Sequence, residues 1–202
     1  MREFLKRGVV LQVKQSKKVR LVRLASRALI AAGLLIMPLA AVSATPPAAS
    51  EYRLRMFHTH TGERIDVVYR QGSSYIPDAI ARLDEFLRDH RTGTVHPYDP
   101  RLFDLLTALE QSLGKPAAEI DVICGYRTPW SNGFLRQHSA GVALHSLHME
   151  AEAIDIRIPG ISTWVLRNAA LALHLGGVGY YPLSDFVHVD VGRVRQWSLG
   201  AR

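Results

Sequence analysis

The chain has 202 residues, 48% of them hydrophobic and 21% charged, which is enough apolar material for one core and too little charge for a disordered protein. Its formal net charge of +7 suggests nucleic-acid binding until the charges are located. Nine of the 25 basic residues but only one of the 18 acidic ones lie in residues 1–27, so the rest of the chain carries sixteen basic against seventeen acidic groups. The case for a nucleic-acid partner goes with that segment.

The basic segment leads into the apolar run Ala28–Ala44, which contains Pro38 and ends in small residues. This order reads as a signal peptide over residues 1–44 and predicts export to the periplasm. A retained anchor is the alternative, and would be the chain's one membrane contact. About 15 apolar residues of helix span only about 22 Å, against about 30 Å of hydrocarbon. The single cysteine, Cys124, excludes an intramolecular disulfide and reads as a small buried hydrophobe in Ile120–Cys124.

Residues 45–50, with Pro46 and Pro47, read as a linker, and residues 51–202 as one domain. Tyr52–His58 alternates apolar and polar residues, Thr61-Gly62 punctuates, and Arg64–Tyr69 is β-rich; together they predict a hairpin. Pro77, Ile80, Leu83 and Leu87 predict a helix running to about His90. Asp99 as cap, Pro100, the stripe Leu102, Leu105, Leu106, Leu109, Leu113 and the stop at Gly114 predict a second. Glu119–Cys124 reads as a buried strand, and Thr128-Pro129 opens a short helix. Ala153–Ile158 alternates as a strand, Ser162 caps a helix ending at Gly176-Gly177, and Val178–Tyr181 and Phe186–Val191 are β-prone. Without a regular βαβ repeat, the expected class is α+β, with a mainly antiparallel sheet flanked by helices.

Of nine histidines, His58, His60, His90, His96, His138 and His174 read as polar or helix-end residues rather than ligands. His148, Asp155 and His188 are different: two imidazoles and a carboxylate beside β segments form a three-ligand set, which for Zn²⁺ leaves one position open to water. Seven residues span about 23 Å extended and about 10 Å as helix, so Met149–Glu152 must reverse the chain for one ion to be shared. On spacing alone the pattern is loose. Asp185 reads either as a general base over the site or as a turn-forming residue after Ser184. Asp190 shares a strand face with His188, so it either orients that imidazole or is solvated. Arg127 either steadies an oxyanion or makes a surface ion pair.

The segments Gly125-Tyr-Arg-Thr-Pro129, Gly141-Val-Ala143, Ser146-Leu-His-Met149, Ala153-Ile-Asp-Ile-Arg157, Gly176-Gly-Val-Gly-Tyr-Tyr-Pro182 and Asp185-Phe-Val-His-Val-Asp190, in this order, resemble the zinc D-Ala-D-Ala metallopeptidase group. That group includes VanX- and VanY-type enzymes and has the Hedgehog/DD-peptidase fold; the likeness is greatest to its MepK (YcbK)-type murein endopeptidases. The resemblance spans Tyr52 to Trp197. It implies Zn²⁺ held by His148, Asp155 and His188, Asp185 as catalytic acid/base, Arg127 at the substrate carbonyl or oxyanion, and peptidoglycan stem-peptide cross-links as substrate, with the one joining two diaminopimelate residues as a candidate. A zinc carboxypeptidase on the same peptides and a non-catalytic wall-binding module are the alternatives. Ala151 stands where the group usually has glycine, and if φ is positive there it costs about 1 kcal/mol. His145 lies outside the pattern and reads as a surface residue.

Overall fold

The computed structural model describes residues 50–139 and 141–200, so the expected leader, and the linker apart from Ser50, lie outside the described residues. Strands β1 (Glu51–His58) and β2 (Arg64–Gln71) pair antiparallel as the expected hairpin, with Leu54, Met56, Val67 and Tyr69 turned inward. Strand β3 (Ser74–Tyr75), two exposed residues with no apolar pattern to announce them, extends its edge.

Helix α1 (Pro77–Phe86) is shorter than the sequence suggested. The chain turns at Asp89, whose carbonyl accepts from the amides of Thr92 and Gly93, while its carboxylate accepts from the amide of Arg91 and both the amide and hydroxyl of Thr128. These bonds replace the next helical turn. Helix α2 (Arg101–Ser112) buries the predicted leucine stripe, and Asp99 accepts the free amide of Arg101 at its start. Strand β4 (Glu119–Cys124) then lies parallel to β1, because the two helices cross over between them.

Helix α3 (Pro129–His138) starts at Thr128, whose hydroxyl accepts from the Ser131 amide, 3.1 Å. A 3-10 turn, Leu147–Glu150, and a left-handed Ala151 with φ 53° make the required reversal into β5 (Ala153–Arg157). Helix α4 (Thr163–Leu173) is capped by Ser162 and ends at a left-handed His174. Strands β6 (Gly177–Tyr181), β7 (Phe186–Asp190) and β8 (Arg195–Ser198) complete the sheet. β8 was not anticipated: its residues are mostly polar and it is held by pairing with β6.

The sheet has the order β3-β2-β1-β4-β5-β7-β6-β8, antiparallel except where β1 meets β4 and β6 meets β8. The fold is therefore α+β. Helices α1, α2 and α4 cover one face, onto which Ile154, Ile156, Val187 and Val189 point. By strand alternation Asp155 and His188 point to the other. Among the described residues no helix is long and apolar enough to cross a membrane.

Candidate metal centre

Asp155 on β5 and His188 on β7 are cross-strand partners, so register alone brings their side chains together. His148 arrives from the 3-10 turn, steered by a hydrogen bond between its Nδ1 and the Gly125 carbonyl, 2.8 Å. The three facing atoms form a tight triangle: His148 Nε2 to Asp155 Oδ1 3.2 Å, His188 Nδ1 to Asp155 Oδ1 2.9 Å, and His148 Nε2 to His188 Nδ1 3.1 Å. Ligands about 2.0–2.1 Å from one tetrahedral ion stand roughly 3.3 Å apart, so the triangle is of the size such an ion requires.

The second layer says which atoms face inward. His148 donates from Nδ1 to Gly125, and His188 donates from Nε2 to Asp190 Oδ2, 3.0 Å, which leaves a lone pair on His148 Nε2 and on His188 Nδ1. Two lone pairs and a carboxylate oxygen would repel one another, and a cation between them removes the conflict. Asp190 is fully buried, yet it accepts from the amides of Gly177 and Gly192 and, with both oxygens, from Arg195 at 3.0 and 2.7 Å. Burial would raise its carboxyl; His188 and Arg195 outweigh that and hold it well below the ordinary range. Asp155 is likewise held low against burial by its two imidazoles. Burial lowers the His148 ring, whereas at His188 the two carboxylates overcome burial and raise it.

Register extends the site along one row of the sheet: Cys124 on β4 opposes Asp155, and beyond His188 come Gly179 on β6 and Trp197 on β8. A Cβ on Gly179 would stand 2.6 Å from the Trp197 indole, so glycine lets that ring approach the His188 imidazole, 5.1 Å between centroids. The Cys124 sulfur and donor atoms of His148 and Asp155 lie within 4.8 Å of one another. Burial pushes its thiol up to about 12, so it remains protonated and apolar in behaviour.

Arg127 is 9% exposed, donates to the Ser146 hydroxyl at 2.9 Å, and has a buried Nε without a partner. The surface-pair reading does not hold for it: among the described residues no carboxylate pairs with it. It lines a cavity of about 340 Å³ that also contains His148, Asp155 and His188. His145 lines the same cavity from an exposed position. Asp185 does not line it. With φ 52° the residue occupies the left-handed turn conformation, its side chain is exposed, and Oδ1 accepts from the Thr163 hydroxyl at 3.1 Å. The turn-forming reading describes its place in the structure.

Three histidines set aside as polar or helix-end residues behave otherwise. His58 is completely buried, and His60 and His90 stack with centroids 4.2 Å apart at the cavity wall. Only the period-two spacing of His58 with the inward Leu54 and Met56 hinted at its burial.

A sheet that gathers two imidazoles and a carboxylate at one side of an open cavity has the donor set of a metallopeptidase centre. The family model described as peptidoglycan L,D-endopeptidase MepK matches residues 46–197, and the chain belongs to that family of peptidases. A protein of Haemophilus influenzae named "Probable peptidoglycan L,D-endopeptidase MepK" is 42% identical over 172 residues, 84% of this chain and 90% of that protein. The peptidoglycan L,D-endopeptidase MepK of Escherichia coli strain K12 is 43% identical over 146 residues, 71% of this chain and 79% of its own. No solved structure matches.

Proposed function

We propose that this chain is an exported zinc peptidase that hydrolyses peptidoglycan stem-peptide cross-links, the L,D-endopeptidase activity its relatives are named for. The observation that carries the reading is the triangle of His148 Nε2, Asp155 Oδ1 and His188 Nδ1, with edges of 3.1, 3.2 and 2.9 Å, beside an open cavity. These three residues would hold Zn²⁺, which when bound supplies Lewis acidity, polarising a carbonyl and acidifying a water.

The protein's own groups do the rest. Arg127, buried and paired with no carboxylate among the described residues, presents positive charge where a substrate carbonyl gains negative charge. Its amide donates to the His148 carbonyl at 3.0 Å, which ties guanidinium and ligand to one rigid unit. Asp190, clamped by Arg195, keeps His188 in the tautomer with Nδ1 free. Asp185 serves as proton acceptor only if its side chain leaves Thr163 and turns into the cavity that its neighbours Ser184 and Phe186 line. Residues 1–44 act as a cleaved leader, residues 45–50 as the linker and residues 51–202 as the peptidase domain, which puts the work in the periplasm.

The test is digestion of purified sacculi with metal-loaded protein, followed by mass identification of the products. Release of cross-linked fragments as monomers, abolished by a chelator and restored by Zn²⁺, is expected. Intact cross-links after prolonged incubation, or activity indifferent to chelation, would overturn the reading.

A further inference from the structure

The cavity wall is unbalanced in charge. Three arginines line it, Arg91, Arg127 and Arg195, against the single acid Asp155. Asp155 faces the two ligand imidazoles, and Arg195 is bound by Asp190. Arg127 belongs to the site already described. Arg91 forms no ion pair among the described residues, although the body of the chain carries slightly more acid than base. Arg91 is exposed at the cavity wall, and the carboxylate next to it in the chain, Asp89, is taken up by two backbone amides and the Thr128 hydroxyl rather than by the guanidinium, which leaves that charge open to an anion in the cavity.

The surroundings of Arg91 are built rather than loose. Its amide donates to Asp89 Oδ1 at 2.9 Å, and the other oxygen of that carboxylate takes the Thr128 amide and hydroxyl, both at 2.8 Å, which fastens the turn to the start of α3. Next to it His90 stacks on His60 with 7° between the ring planes. Behind both, buried His58 meets His90 edge-on at 5.9 Å and accepts from the backbone amides of His60 and Thr61 through Nδ1, at 3.3 and 3.4 Å. Burial, His60 and Arg91 bring the His90 ring down to about 4, so at neutral pH it offers an N–H donor without a charge.

We propose that Arg91, with the stacked His60 and His90, forms a carboxylate-binding subsite that reads an acidic group of the peptide lying in the cavity. The inference rests on the reading of this chain as a stem-peptide peptidase and names what that peptide must carry. A guanidinium takes a carboxylate through two parallel hydrogen bonds, and a neutral imidazole N–H beside it adds a third donor. The stem-peptide cross-link between diaminopimelate residues carries such carboxylates, and amidation removes the charge while keeping the shape.

The experiment compares a cross-linked muropeptide whose diaminopimelate carboxylates are free with its amidated counterpart, on the zinc-loaded full chain and on Arg91→Gln. Both turnover and calorimetric affinity are measured, and metal content and melting temperature verify the variant. The native chain is expected to favour the free acid by about tenfold or more in KM and in Kd, the scale of a charge-assisted pair. Arg91→Gln is expected to reduce that preference to within about twofold, and His60→Gln to reduce it by a smaller factor. Equal affinity of the native chain for both peptides, or a preference that Arg91→Gln leaves intact, overturns the subsite. Preferential binding of the free acid that depends on Arg91, without cleavage of either peptide, supports the subsite and removes the peptidase reading alone. Cleavage without preference removes the subsite alone.

Discussion

His188 Nε2 lies 3.0 Å from Asp190 Oδ2, two positions along one strand, and Arg195 grips the same carboxylate with both terminal nitrogens. The three side chains form a relay whose inner end is the Nδ1 lone pair of the metal triangle. Replacing Asp190 with Asn keeps the shape but lets an amide oxygen accept more weakly and removes the charge Arg195 holds. Zn²⁺ affinity of Asp190→Asn should fall by about 10- to 100-fold in a chelator competition. An unchanged affinity would show that the relay does not tune the ligand.

Asp185 separates two physical roles. A general base contributes about 10²- to 10⁴-fold, so Asp185→Ala should lower kcat by at least 100-fold if the side chain swings in during turnover. If it serves only the turn, Asp185→Gly should be neutral or stabilising, since φ is 52°, and activity should survive both changes. Measuring kcat for Asp185→Ala and Asp185→Gly side by side decides between the roles.

Glu110 on α2 is 1% exposed and its Oε1 has no partner among the described residues, and burial raises its carboxyl to about 8. The folded chain thus keeps a proton that the unfolded chain releases from its ordinary value of 4.5. Between those two values the folded state binds more protons, so stability falls as pH rises, by about 1.4 kcal/mol for each tenfold difference in proton affinity. Glu110→Gln should match the native chain near about pH 5 and exceed it by several kcal/mol above about pH 8, in denaturant titrations. A constant difference across that range would count against a protonated Glu110.

Gly179 is tested by one methyl group. In Gly179→Ala the Cβ would stand 2.6 Å from the Trp197 ring, so the indole must leave its place beside His188. A loss of about 1–3 kcal/mol is expected, with altered Trp fluorescence. Trp197→Ala in the same background should recover part of that loss, because it removes the group the methyl meets.

Much of this architecture could be read along the chain. Thr128 and Ser162 announced their helices because a cap acts within three residues, and the leucines of α2 declared one buried stripe by period alone. The hairpin of β1 and β2 followed from alternation around a short turn. Ala151 was legible as an anomaly, and its φ of 53° shows the left-handed bend that the reversal from His148 to Asp155 demands. Donor chemistry was legible too, since residue types carry it wherever they stand.

Residue identity and short-range periodicity thus supplied the ingredients: two imidazoles, an acid, an arginine, and the helices and strands that bear them. Long-range pairing chose their neighbours. The row from Cys124 through Asp155, His188 and Gly179 to Trp197 depends on the register of strands far apart in the chain, which no local pattern encodes. The same holds for the burial of His58, the stacking of His60 on His90, and the turn of Asp185 toward Thr163. Each is settled by which groups compete for one space once the sheet has closed, and that competition exists only in three dimensions.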